Sequence, residues 1–126
     1  MNYLIDTNIL IYLLCNPTEL SYEAKRILTK EKSISVSIVS LWEIAIKQSI
    51  GKLNIKLTIP QIEKICLERD VKIIPINAKE IENVKLLPMI HRDPFDRLII
   101  SQAQNNDMCL ITRDATIPKY DITTVW

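Results

Sequence analysis

Tyr3-Leu4-Ile5-Asp6-Thr7-Asn8-Ile9-Leu10-Ile11-Tyr12-Leu13-Leu14 is the stretch whose reading decides the fold. A short apolar run stops at an acid, and a second apolar run starts at once beyond an Asp-Thr-Asn turn. The first run reads as a buried strand and the second as a helix, which the turn can cap. A buried strand passing directly into a helix is the opening move of a parallel sheet with helical crossovers.

The rest of the chain repeats that alternation. Pro17 closes the first helix, and Leu20, Ala24, Ile27 and Leu28 recur at helical spacing through a second. Ser33 to Ser37 alternates around Ile34 and Val36 and predicts a strand. From Val39 an almost all-round apolar helix runs to Gly51, which can terminate it. Pro60 suits the first turn of a helix carried by Ile62, Ile65, Cys66 and Leu67. Val71 to Ile76 predicts a strand, and Asn77-Ala78-Lys79-Glu80 has the form of a capping box that opens a helix ended by Leu87-Pro88. Asp93 and Pro94 read as N-cap and first position of a helix with Phe95, Leu98, Ile99 and Ala103 on its inward stripe. Met108 to Thr112 and Ile122 to Val125 supply two last strands. The expected architecture is α/β, a three-layer sandwich whose mainly parallel central sheet is flanked by helices. With no internal repeat, low-complexity tract or linker, one domain over residues 1–126 is expected.

Composition narrows the function classes. A chain of 126 residues with 48% hydrophobic and 25% charged residues and a single glycine is that of an ordered protein able to bury a core. A net charge of +1 carries no basic excess, so a nucleic-acid partner would have to be held by local charge and by metal. Cys15, Cys66 and Cys109 are odd in number and nowhere form C-x-x-C, which argues against a disulfide framework or a zinc site and for small buried hydrophobes. The start lacks a basic n-region, and Ile9 to Cys15 is too short to span a bilayer, so no membrane association and a cytoplasmic location are expected.

The acids carry the chemistry. Asp6 ends the first strand, and Asp114 lies just past the strand that ends near Thr112. If those strands are parallel, both carboxylates leave the same sheet edge, where ligands of open α/β sheets gather. Glu43 interrupts an apolar helix one turn in, and Asp96 stands in the first turn of its own helix, beside Asp93. Each acid has a local explanation: capping for Asp6 and Asp93, an i,i+4 pair with Lys47 for Glu43, the helix dipole for Asp96, a turn for Asp114. Four sequence-distant acids at strand ends and helix starts are harder to explain as independent accidents. Two unit charges about 4 Å apart repel by roughly 4 kcal/mol at an effective dielectric near 20, so a carboxylate cluster needs a cation or protons. Magnesium, which prefers carboxylate oxygens and bridges to phosphate, answers that need better than zinc. His91, the lone histidine, is read as a non-ligand.

Four blocks, Leu-Ile-Asp-Thr-Asn from Leu4, Ser-Leu-Trp-Glu-Ile-Ala-Ile-Lys from Ser40 with Gly-Lys-Leu from Gly51, His-Arg-Asp-Pro-Phe-Asp-Arg-Leu-Ile-Ile-Ser-Gln-Ala from His91, and Leu-Ile-Thr-Arg-Asp ending at Asp114, follow one another over nearly the whole chain. Together they resemble a PIN domain of the VapC-like toxin ribonuclease group. That resemblance places Asp6, Glu43, Asp96 and Asp114 in the family's acidic quartet, Asn8 beside it, and Asp93 either in the metal shell or simply as a cap.

The function this implies is a magnesium-dependent endoribonuclease, with manganese as a possible substitute, acting as the toxin of a type II toxin-antitoxin module. It also implies an RNA substrate, a cognate antitoxin and a homodimer. Lys47, Lys52, Arg92, Arg97 and Arg113 stand near the acids in sequence and are candidate phosphate contacts. Apolar residues around Ile50 and Ile62 are candidates for an interface or for the core. Two other functions fit the residues less closely: an inactive PIN-like module that binds RNA or protein, and phosphoryl transfer to Asp6, for which Asp6-Thr7-Asn8 lacks the second acid of an Asp-x-Asp loop.

Overall fold

The computed structural model describes all 126 residues and places five parallel strands in one sheet. In chain order the elements are β1 (Tyr3–Ile5), α1 (Thr7–Cys15), α2 (Tyr22–Lys30), β2 (Ile34–Ser37), α3 (Ile38–Ser49), α4 (Ile59–Glu68), β3 (Val71–Ile74), α5 (Ala78–Val84), α6 (Pro94–Asn105), β4 (Cys109–Ile111) and β5 (Thr124–Val125). Short 3₁₀ turns lie at Pro17–Glu19 and Ile117–Lys119. The strands stand in the order β3-β2-β1-β4-β5, so β1 is central and the chain first builds outward on one side of it and then on the other.

The helix starts expected from the sequence have the chemistry proposed for them. Asp6 caps α1 by accepting from the Ile9 amide, Thr58 and Asn77 each form a capping box, and Asp93 caps α6 ahead of Pro94. Gly51, with φ +73, follows the end of α3 in the left-handed backbone region that glycine tolerates best. The strands are shorter than the apolar runs by a residue or two, because pairing ends where neighbouring strands stop.

Strands of two to four residues offer few ladder bonds, so packing must hold the sheet. Alternation along β1, β2 and β4 sends Ile5, Ile34, Val36 and Ile111 into one apolar cluster, filled from the helices by residues such as Ile9, Leu10, Ile27, Ile44 and Ile62. Leu4 and Leu110 point the other way, into a second cluster with Ile99, Ile100 and Ala103 of α6. Each such side chain is worth about 1.5–3 kcal/mol when fully buried. Three layers result, with the sheet in the middle. Ile62 belongs to this core with none of its surface exposed, whereas Ile50 is largely in solvent at 58%. Cys66 and Cys109 are buried, but Cys15 is exposed, so the reading of all three as buried hydrophobes holds for two. No helix is long and apolar enough to cross a membrane.

Arg97, expected to meet phosphate, instead points inward. Its guanidinium donates to the carbonyls of Pro88 at 3.0 Å, Val84 at 3.1 Å, and His91 and Leu87 at 3.3 Å. A buried guanidinium needs its fork of donors met, and the segment between α5 and α6 turns its carbonyls toward it. Arg97 therefore fastens that segment to α6 and is withdrawn as an RNA contact. Arg97→Ala should cost about 3 kcal/mol or more in urea unfolding, because several buried carbonyls lose their donor at once. A loss below about 1 kcal/mol would show that the segment is held by other means.

Candidate active site

Parallel pairing fixes where the acids can meet. Ile5 lies opposite Val36 in β2 and Ile111 in β4, so the residues that follow these strands leave the sheet at one edge. Asp6 follows β1, Thr112 and Asp114 follow β4, and α3 leaves β2 at the same edge carrying Glu43. The chain crosses from β1 to β2 and β3 on one side and returns from β3 to β4 on the other side of β1, which makes the edge beyond β1 and β4 the switch point where α/β sheets place their ligands.

Asp6 is almost wholly buried, at 3% exposure. Its Oδ1 accepts from the Ile9 amide at 2.9 Å and its Oδ2 from the Thr112 hydroxyl at 2.5 Å. Thr112 Oγ1 accepts in turn from the Asp114 amide at 3.0 Å, joining the two acids through one hydroxyl. Glu43 is buried as well; Thr7 donates to its Oε1 at 2.6 Å and Lys47 to its Oε2 at 2.6 Å. The Thr7 hydroxyl also touches the Ser40 hydroxyl at 2.9 Å. Asp93 Oδ1 caps α6 through the amides of Phe95 at 2.8 Å and Asp96 at 3.3 Å. Asp114 Oδ1 takes the Thr116 amide at 2.7 Å.

His91 stands among these groups. Its Nε2 is 2.9 Å from Asp114 Oδ2 and 3.1 Å from Asp96 Oδ2, and the three atoms lie within 4.8 Å of one another. His91, read from the sequence as a non-ligand, is thus within hydrogen-bond distance of two of the acids. The signal was its place two residues before the Asp93 cap, which draws the segment over the start of α6. Thr7, Ser40 and Thr112 were also passed over. Each flanks an acid at a strand end or on the buried face of a helix, where a hydroxyl is the smallest group able to orient a carboxylate.

The crowding of charge shows in the acidities. Burial, partly opposed by the Thr112 and Ile9 hydrogen bonds, pushes the Asp6 carboxyl up to about 6, with Asp114 and Glu43 adding to the rise. Asp96 is pushed up to about 7 by burial and then by Asp93, Asp6 and Glu43, with His91 pulling the other way. Burial acts upward on Asp114 too, but the His91 and Thr116 hydrogen bonds outweigh it and hold this carboxyl below its ordinary value. Burial works against the Lys47 ammonium, yet its pairing with Glu43 leaves it above its ordinary value.

Asp6, Glu43, Asp96 and Asp114, from three elements and a turn, thus lie near enough for their charges to act on one another, with Asp96 and Asp114 meeting at His91. Asp93 lies at its rim, engaged as a cap. Asn8 is exposed on the first turn of α1. Of the cations, Lys47 is committed to Glu43, and Arg113 is turned to Glu19 at 2.9 Å and to the ring of Trp126. Lys52 and Arg92 are exposed. The donor set is hard carboxylate oxygen with a single imidazole at its edge, which fits a cation of the magnesium or manganese type and not a Cys/His zinc centre.

These acidities carry a sign. A carboxyl whose pKa folding raises favours the folded state while protonated, and that contribution is lost as pH rises from the unfolded value toward the folded one. For Asp6 and Asp96 the window runs from 3.8 to about 6 and about 7. Asp114, shifted the other way, acts only below that window. At 1.36 kcal/mol per pH unit the Asp96 contribution is at most about 4 kcal/mol. The metal-free protein should lose about 2–4 kcal/mol of stability between pH 4 and pH 7.5, read by urea unfolding, and Asp96→Asn should remove about half of that slope, Asp6 carrying the rest. An unchanged slope in Asp96→Asn would mean the crowding resides elsewhere.

The model of one family, the PIN domain, matches residues 3–122. Among solved structures, VapBC2 from Rickettsia felis bound to a DNA fragment from its promoter is similar, with a TM-score of 0.75 and 23% identity over 99% of this chain and 98% of that one. DNA-bound VapBC from Salmonella typhimurium gives a TM-score of 0.71 at 13% identity, covering 99% and 97%. A toxin-antitoxin complex from Klebsiella pneumoniae gives 0.67 at 23% identity, also covering 99% and 97%. No curated protein matches the chain significantly. With the family model spanning nearly its full length and the acids gathered at the carboxyl edge of a five-stranded parallel sheet, the chain belongs to the PIN domain family.

Proposed function

We propose that this protein is a magnesium-dependent endoribonuclease and the toxin of a type II toxin-antitoxin module. The observation that carries the reading is the acidic cluster itself: the buried Asp6 and the half-buried Asp96 carboxyls have pKa values pushed well above the ordinary by burial and by neighbouring acids, with Lys47 as the one ammonium committed to the group. That is the electrostatic signature of a cation site.

Asp6, Asp96 and Asp114 would hold the ion, with Glu43 beside them. Bound there, magnesium would neutralise the scissile phosphate and lower the pKa of an attacking water, with manganese as a substitute. The chain's own residues do the positioning. The Ile9 amide and Thr112 hydroxyl lock the Asp6 carboxylate, and Thr7 and Lys47 fix Glu43 so that it can orient a water molecule. Lys52 and Arg92, exposed and close in sequence to Glu43 and Asp96, are the cations free to meet flanking phosphates. Asp6-Thr7-Asn8 lacks the second acid of an Asp-x-Asp phosphatase loop, which favours the nuclease reading over phosphoryl transfer to Asp6.

The similar complexes of toxin with antitoxin support a cognate antitoxin for this chain too, which would act by covering the acidic cleft. A homodimer and a cytoplasmic site of action complete the proposal, with inhibition of translation or growth as the cellular effect.

Inducible expression beside Glu43→Gln tests it. The wild-type protein should arrest growth and create new ends in total RNA, while Glu43→Gln and Asp6→Asn should cut at least about 100-fold more slowly in vitro. EDTA should abolish cleavage, and magnesium or manganese should restore it. RNA bound without shortening in the presence of magnesium would overturn the assignment in favour of a binding module.

A further inference from the structure

We infer that His91 is a positioning residue that ties Asp96 to Asp114 through its Nε2–H and does not itself ligate the metal. This rests on the cation site proposed above and assigns a role to the one side chain in the cluster that is not an acid.

The residue is fixed at its N–H, its carbonyl and its ring. The main-chain N–H of His91 donates to Tyr120 Oη at 2.7 Å, and its carbonyl accepts from Arg97 Nη1 at 3.3 Å. Tyr120 Oη donates to the Pro88 carbonyl at 2.9 Å and accepts from the Ile90 amide at 3.2 Å, so a buried tyrosine clamps the whole approach to α6. The third constraint sets the tautomer. Nδ1 accepts from the Asp93 amide at 3.2 Å, which leaves the proton of the neutral ring on Nε2.

That proton faces both carboxylates, Asp114 Oδ2 at 2.9 Å and Asp96 Oδ2 at 3.1 Å. Ligation through Nε2 would need the other tautomer, with Nδ1–H pointed at the Asp93 N–H, two donors 3.2 Å apart. The backbone at the start of α6 thereby selects the donor form. One N–H shared by two acids on separate elements draws them to a common distance and orients each, leaving their remaining lone pairs for the ion. Groups that orient metal ligands in this way typically change affinity by 10- to 100-fold when removed.

Titration calorimetry with Mn²⁺ on the full chain tests the assignment. His91→Ala should bind Mn²⁺ about 10- to 100-fold more weakly, and His91→Gln, whose amide N–H can reach the same two oxygens, should stay within about threefold of wild type. If His91→Ala does not fold, as judged by circular dichroism, His91→Asn replaces it, since its shorter amide stops short of the carboxylates. Electron spin echo spectra of the Mn²⁺-loaded protein should show no directly bound imidazole nitrogen. Unchanged or tighter binding by His91→Ala would overturn the inference by making the ring a bystander or a competitor for the ion. A nitrogen coupling lost in His91→Gln would overturn it by making the ring a ligand. Failure of the wild type to bind Mn²⁺ would remove the cation site itself, and this inference with it, a result distinguishable from the other two.

Discussion

Everything at the acidic edge depends on one constraint, the parallel register that sets Ile5 level with Val36 and Ile111. Backbone pairing at the centre of the sheet brings three strand ends to one line, and each end delivers a side chain or a helix to the same place. Slipping β1 by one residue would exchange the faces of Leu4 and Ile5 and move Asp6 out of reach of Thr112. The two apolar clusters guard against that slip, because each accepts side chains from only one face of the strands.

The chain keeps several acids close at a cost to its own stability. Burial and mutual repulsion both work against the ionised forms of Asp6 and Asp96. The compensation is local and polar: two threonines, one lysine, one histidine and a set of helix-start amides each satisfy particular carboxylate oxygens. None of these groups neutralises the pocket as a whole. Strain of this kind is expected where a fold is arranged around an ion or a substrate.

Much of this was legible in the residues, for identifiable reasons. Short apolar runs bounded by Asp, Asn, Ser and Pro announce strands and capped helices, and the caps at Asp6, Asn77 and Asp93 are where those rules locate them. The convergence of Asp6 with Asp114 was expected on the condition that their strands run parallel, which β1 and β4 do as direct neighbours. What escaped was orientation at the level of single side chains. Periodicity could not reveal that Arg97 turns its head inward, since the carbonyls that receive it belong to an irregular segment. Nor could it reveal His91, whose nearness to Asp114 is made by a fold-back of 23 residues.

The hydrogen bond from Thr112 to Asp6 has a further meaning when the protein is being made. It joins residues 106 positions apart, and β1 cannot be flanked by β4 until residue Ile111 has been made. Contacts of such long sequence separation form late and slowly, after shorter loops have closed. A nascent chain made only as far as α6 therefore carries Asp6 without the Thr112 and Asp114 that complete the cluster. Assembly of the acidic cluster thus waits until the chain has been made through Asp114.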